Sequence, residues 1–163
     1  MILIAVTFAL VAIDQFTKMA VHSTFELGEQ IKMIEGYFSL TYVRNQGAAF
    51  GIFNQAQPTF REIFFLSIPP IAVFVILLFL YNLPETETLE IYALSLISGG
   101  AIGNYIDRLR FGYVVDFLDF HIKNFYSWPV FNVADSAIVV GVGILSILMF
   151  SKKKQDVAPT PSL

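Results

Sequence analysis

The chain has 163 residues, 56% of them hydrophobic and 14% charged, with a mean hydropathy of +0.67, a balance that excludes an ordinary soluble domain and marks an integral membrane protein. It has no cysteine and only two histidines, His22 and His121, which excludes disulfides, thiolate nucleophiles and Cys-ligated metal and argues against a His-rich metal centre. The net charge of −3 is small and dispersed and suggests no nucleic-acid partner, so any chemistry rests on oxygen and on Lys or Arg.

Four stretches approach the roughly 20 residues that a spanning helix needs. The first, about 1–21, has no Lys or Arg at its amino end and holds Asp14 and Lys18 where a signal peptide would have a small-residue cleavage site, so it reads as a retained helix. Asp14 and Lys18 lie one turn apart on one helix face, the spacing of an internal ion pair that lets two charges sit within a span. Some forty residues follow. Within them, Tyr37 to Phe53 is rich in aromatic and β-branched residues with partial alternation. It predicts short strands in a small sheet at the membrane surface, with Tyr37, Phe38, Tyr42, Phe50 and Phe53 as interfacial anchors.

The second span, about 63–81, contains Pro69 and Pro70, which remove two backbone donors and predict a kink. The third, about 89–106, is the weakest, interrupted by Ser98-Gly99-Gly100 and Gly103-Asn104, although small residues suit close helix packing. At its end, Asp107 and Arg108 read as forming or joining a structural ion pair. The aromatic segment Leu109 to Val130 is expected to lie in the interface and carries Asp116 and Asp119. Of the two, Asp119 reads as a helix-end or solvated acid.

The fourth span, about 131–150, places Asp135 a turn or so inside a long apolar run, where a lone ionisable group is costly and function is the default hypothesis. Asp116 follows a β-branched pair in an apolar setting and is able to reach the same depth. Two carboxylates meeting at a membrane face suggest acid/base hydrolysis, one shared proton serving an ionised and a protonated partner, with no metal or organic cofactor required. Residues 151–163, with Lys152, Lys153 and Lys154 and a Pro- and Ser-containing end, predict a disordered tail. The Lys triplet argues that this side is cytoplasmic, and four spans put the amino terminus there too. Lys32, Arg44, Arg61, Arg108, Arg110 and Lys123 then lie outside, against the simple charge count.

The prediction is therefore an all-α membrane protein with a small β element: one domain over 1–150 with four transmembrane helices and a short interfacial sheet at the outer face. Intramembrane carboxylates also serve proton-coupled transport, with Asp14, Asp107 and Asp135 as a relay, but the chain has no repeated halves. A small assembly subunit would leave the Asn-rich blocks unexplained.

Three blocks carry a resemblance: Asn45-Gln-Gly-Ala-Ala-Phe-Gly51, Gly100-Ala-Ile-Gly-Asn-Tyr-Ile-Asp-Arg108 continuing to Val114-Val-Asp-Phe117, and Phe131-Asn-Val-Ala-Asp-Ser136. With Asp14-x-x-x-Lys18 and the four-span layout, they resemble the lipoprotein signal peptidase family, also called signal peptidase II, over nearly the whole chain. The resemblance implies an intramembrane aspartyl protease of the bacterial inner membrane. It would cut the signal peptide from a lipid-modified prolipoprotein just before the diacylglyceryl cysteine, working as a monomer among membrane lipids near the outer face. By motif, Asp116 and Asp135 are the catalytic pair, and Asn45, Asn104, Arg108 and Asn132 match positions thought to line the site, for orientation and substrate binding.

Overall fold

The computed structural model describes residues 2–47, 57–123 and 125–156. Among these, four long helices and four strands follow one another as α1 (Ile2–Thr24), β1 (Gln30–Ile34), β2 (Phe38–Asn45), α2 (Pro58–Tyr81), α3 (Thr88–Phe111), β3 (Val114–Ile122), β4 (Tyr126–Ser127) and α4 (Val133–Asp156). Polar groups point inward and apolar ones outward. Asp14, Asp107 and Asp116 are each 1% exposed or less, whereas Phe8 and Phe16 are 74% and 76% exposed. A soluble fold reverses this arrangement; a bilayer supplies the missing apolar partner. Among the described residues, Ile2–Thr24, Thr59–Tyr81 and Val133–Ser151 are long and apolar enough to cross a membrane.

The exception is α3, which packs against α1, α2 and α4 and buries Glu90, Ser95, Ser98, Asn104 and Asp107. Its polarity is turned toward the other helices, so its sequence lacks the apolar run that marks its neighbours. The small residues that weaken it as a span let the helices close up. A methyl group added at Gly103 would lie 2.5 Å from Asp14 Oδ2, and one at Gly99 2.7 Å from Leu10 Cδ2. Helix α3 runs unbroken through both small-residue clusters and ends at Gly112, whose φ of 76° is the left-handed cap conformation that glycine adopts without strain. Helix α2 continues through Pro69 and Pro70. Helix α4 extends to Asp156, six residues into the stretch read as a tail.

The strands form one antiparallel sheet in the order β1-β2-β3-β4. Here the sequence reading needs correction. The sheet begins at Gln30, β2 stops at Asn45, and the longest strand, β3, comes from the segment read only as interfacial. The expected anchors Phe50 and Phe53 lie outside the described residues. Tyr42 is no surface anchor: it is 2% exposed and packs with Val21, Val115 and Phe117 where the sheet meets the end of α1. Its hydroxyl lies 2.6 Å from His22 Nδ1 and accepts from Arg44 Nε, so burial costs it no hydrogen bond. Phe38 stacks on Phe120 across β2 and β3 at 4.6 Å between ring centroids.

Candidate active site

The site lies where the sheet meets the amino end of α4 and the carboxyl halves of α1 and α3. Helix α4 starts at Val133, so Asn132 stands at its cap, and the two ends of the first turn hold each other. Asn132 Oδ1 accepts the Asp135 N–H at 2.9 Å, and Asp135 Oδ2 accepts the Asn132 N–H at 3.3 Å. This is the reciprocal pattern of a capping box, with Asp in the place usually taken by Glu or Gln. Asp135 is therefore fixed by local helix chemistry before any tertiary contact is counted.

Asp116 arrives from β3. In the β2–β3 pairing it faces Val43, and between Leu40 and Val43 the register slips by one residue, a bulge of the kind that re-aims side chains beside a site. Asn45 Nδ2 donates to Asp116 Oδ2 at 2.9 Å, and Asn132 Nδ2 donates to Asp116 Oδ1 at 2.6 Å. One residue, Asn132, thus touches both carboxyl groups. Asp116 is enclosed, and burial first, then the negative charge of Asp135, pushes its carboxyl up to about 7, against the opposing pull of the Asn45 and Asn132 donors and Lys18.

Asn104, on α3, completes the arrangement. Its Nδ2 donates to Asp135 Oδ1 at 2.7 Å, while its Oδ1 accepts from Asn132 Nδ2 at 3.1 Å and from Lys18 Nζ at 2.8 Å. Lys18 also lies 2.9 Å from Asp14 and 3.2 Å from Asp107, all three groups buried. Asp107 and its neighbour Arg108 diverge, as consecutive helix residues must. Arg108 Nη2 donates to the Gly47 carbonyl at 3.0 Å, and its guanidinium sits 4.6 Å from the Phe65 ring centre.

One expectation changes. Asp119 is neither solvated nor at a helix end: it lies in β3, 8% exposed, accepting from Thr41 Oγ1 at 2.8 Å and Gln30 Nε2 at 3.1 Å, with His121 Nδ1 at 3.5 Å. Three residues along a strand is an odd step, so Asp119 and Asp116 face opposite sides of the sheet. Asn45 also does two things at once, since its Oδ1 accepts the Gly47 N–H at 2.9 Å, shaping the chain after β2, while its amide reaches Asp116.

Sequence reasoning missed Gln15. Its Nε2 donates to Asp107 Oδ1 at 2.9 Å and to the Gly103 carbonyl at 3.1 Å. The available signal was an amide in an apolar span, which needs partners there as surely as a charge does. An open apolar cleft of about 860 Å³ adjoins Asp135. Asn45 and Asp135 line it together with Phe120, Trp128, Val130, Phe131, Val139 and Val140. The residues brought together are those of an acid/base pair with an apolar approach: two carboxyl groups held by amide donors, one of them retaining its proton near neutrality.

Residues 6–151 match the family model described as signal peptidase (SPase) II. The chain is 45% identical over 156 residues to the lipoprotein signal peptidase of Syntrophus aciditrophicus (strain SB), covering 95% of this chain and 96% of that one. It is 42% identical over 147 residues to the lipoprotein signal peptidase of Desulforapulum autotrophicum, covering 90% of each. A bacterial membrane enzyme solved by the in meso method at 2.3 Å resolution superposes with a TM-score of 0.80 at 31% identity, over 99% of this chain and 94% of the other.

Proposed function

The chain belongs to the signal peptidase II family, a family of proteases, and from that premise we propose that it is an intramembrane aspartyl endopeptidase acting on bacterial prolipoproteins. It cuts just before the diacylglyceryl-modified cysteine, with Asp116 and Asp135 as the catalytic pair. The observation that carries this reading is the single amide of Asn132, bonded to Asp116 at 2.6 Å while its own backbone N–H reaches Asp135 at 3.3 Å. In this reading two acids held against one residue share one proton, since the first negative charge opposes the second.

The chemistry then follows from one proton on the pair. The ionised carboxylate takes a proton from water as the water oxygen bonds to the scissile carbonyl carbon. The other carboxyl donates its proton to the carbonyl oxygen, giving a neutral gem-diol. Collapse returns a hydroxyl proton to the pair and delivers a proton to the departing amine nitrogen as the C–N bond breaks, leaving the pair with one proton again. Asn45, Asn104 and Asn132 orient the two acids and take no proton. Arg108 holds the Gly47 carbonyl and so the backbone beyond β2. The apolar cleft receives the lipidated segment of the substrate, with van der Waals contact replacing its contact with bilayer chains.

In this reading α3 also crosses the bilayer, its polar face covered by α1, α2 and α4. Ile2, where α1 begins, and Asp156, where α4 ends, lie at the end opposite the sheet. The Lys152–Lys154 triplet assigns that end to the cytoplasm of a bacterial inner membrane, with the pair near the outer face. One chain carries every residue assigned here, so a monomer suffices.

The test is cleavage of a diacylglyceryl prolipoprotein by the purified protein and by Asp→Asn variants at 14, 107, 116, 119 and 135, with the unmodified prolipoprotein run beside it. Loss of turnover in Asp116→Asn and Asp135→Asn, in protein that remains folded and inserted, is the expected result. An active Asp116→Asn beside a dead Asp119→Asn would assign the wrong partner, and equal rates on both substrates would reject docking through acyl chains.

A further inference from the structure

The ion cluster beside the pair does more than neutralise charge within the bundle. Lys18 is 2% exposed, and its three ammonium protons face three acceptors: Asp14 Oδ2 at 2.9 Å, Asn104 Oδ1 at 2.8 Å and Asp107 Oδ2 at 3.2 Å. Each acidic partner in turn grips the backbone one residue before an acid of the pair. Asp14 Oδ1 accepts the Ala134 N–H at 2.9 Å, next to Asp135; Asp107 Oδ2 accepts the Val115 N–H at 3.0 Å, next to Asp116. The third contact sets the sense of an amide. With Asn104 Oδ1 occupied by Lys18, the Asn104 NH2 is the group left to face Asp135, at 2.7 Å. A flipped Asn104 would set its carbonyl oxygen against a carboxylate oxygen, and nothing in Asn104 itself prevents this.

We propose that Lys18, through its bond to Asn104 Oδ1, is a positioning residue for Asp135. This rests on the aspartyl reading above and adds to it a role for a residue that touches neither substrate nor reacting atoms. Charge balance alone would need an ammonium among the carboxylates; it would not need one aimed at an amide oxygen that in turn orients an acid of the pair. Outer partners that orient metal ligands are worth about 10–100-fold in affinity or activity when removed, and a comparable loss is expected here because catalytic groups tolerate little displacement.

The single variant Lys18→Met leaves Asp14 and Asp107 buried without a cation and is liable to misfold. The charge-balanced double variant Asp14→Asn/Lys18→Met removes one of those two charges and leaves Asp107 still accepting from Gln15 Nε2 and the Val115 N–H. Cluster charge is −1 in the wild type, from two carboxylates and one ammonium, and −1 in the double variant, from Asp107 alone. The amide oxygen introduced at position 14 is still able to accept the Ala134 N–H. Both the wild type and the double variant are made with Asn104 intact and with Asn104→Ala, and kcat, KM and thermal midpoint are measured on folded, membrane-inserted protein with a diacylglyceryl prolipoprotein. The expectation is that the double variant folds, that its kcat falls about 10–100-fold while KM stays within about 2-fold, and that in the Asn104→Ala background the same change costs no more than about 2-fold in kcat. A double variant with wild-type kcat would overturn the proposal, as would losses that multiply independently of Asn104, and so would failure of the double variant to fold, which assigns the cluster to stability alone. Asp135→Asn is assayed alongside: residual turnover there would reject the aspartyl reading itself, a result distinct from any failure of Lys18.

Discussion

Removing the Asn132 side chain disturbs four bonds at once, which makes Asn132→Ala a demanding test of the site. The substitution deletes the cap of α4, the 2.9 Å bond from the Asp135 N–H, and this costs about 1 kcal/mol. It also deletes the 2.6 Å bond to Asp116, the 3.1 Å bond to Asn104 and the 3.4 Å bond to the Val115 carbonyl, all buried; a hydrogen bond to a charged group contributes about 1.5–3 kcal/mol and a neutral one about 0.5–1.5. A total of about 4 kcal/mol, toward the lower end of that sum, corresponds to a fall of roughly 8–16 °C in thermal midpoint for a chain of this size. The loss of turnover should be larger than stability alone explains. The Asn132 side chain bonds the Asp116 carboxyl and the Asp135 N–H, and a displacement of about 1 Å at reacting groups costs on the order of 100-fold. The assay is cleavage of a lipidated prolipoprotein per folded molecule, beside a melting curve in the same detergent. Asn132→Asp separates the two roles: its carboxylate still caps the helix but has no N–H to offer Asp116, so stability should recover further than activity. An Asn132→Ala protein that melts early yet turns over within about 3-fold of wild type, far from the 100-fold that misplacement implies, would refute the reasoning.

If Asp116 is the acid of the proposed mechanism, activity should fall on the alkaline side with a midpoint near 7 as it loses its proton, and a pH–rate profile in fixed ionic strength checks this. The same group makes stability depend on pH. Its folded pKa of about 7 lies above the ordinary 3.8, so the native state binds the extra proton between those values. The contribution is fully present below about 3.8 and is lost as pH rises to about 7, on the order of 4 kcal/mol at about 1.4 kcal/mol per unit. Asp116→Asn should remove that dependence from the melting curves. Asp119→Asn should keep turnover close to wild type while lowering the melting point, because Asp119 serves Thr41 and Gln30 on the other face of the sheet; an inactive, fully stable variant would contradict this. Gly103→Ala should fold poorly, since its new methyl would stand 2.5 Å from a carboxylate oxygen of Asp14, and overpacking of this kind costs about 1–3 kcal/mol; normal expression and melting would show that α1 and α3 are less tightly joined than described.

Sequence by itself determined what depends on neighbours along the chain. The apolar runs of α1, α2 and α4 declare helices long enough for a bilayer, because a backbone in hydrocarbon must satisfy its own hydrogen bonds. The Asp14–Lys18 spacing is legible because one helical turn brings the two side chains together in any environment. Asn132 and Asp135 are legible for the same reason, three residues apart at a helix start. Tertiary structure decided the rest. Whether Val114–Ile122 is a strand depends on finding β2 as a partner, and an aromatic, β-branched segment beside a membrane gives no sign of which partner it will meet. The opposite fates of Asp116 and Asp119 follow from that pairing, since strand geometry sends them to different faces. The burial of Tyr42 depends on where α1 ends against the sheet. The tie from Lys18 to Asn104 joins residues 86 positions apart, and that from Asp14 to the Ala134 N–H residues 120 positions apart. Such bonds leave no periodicity behind them, because direction and distance across a packed interface are set by how closely the helices approach. Here the glycines of α3 govern that approach, and their meaning appears only when the facing side chain is known.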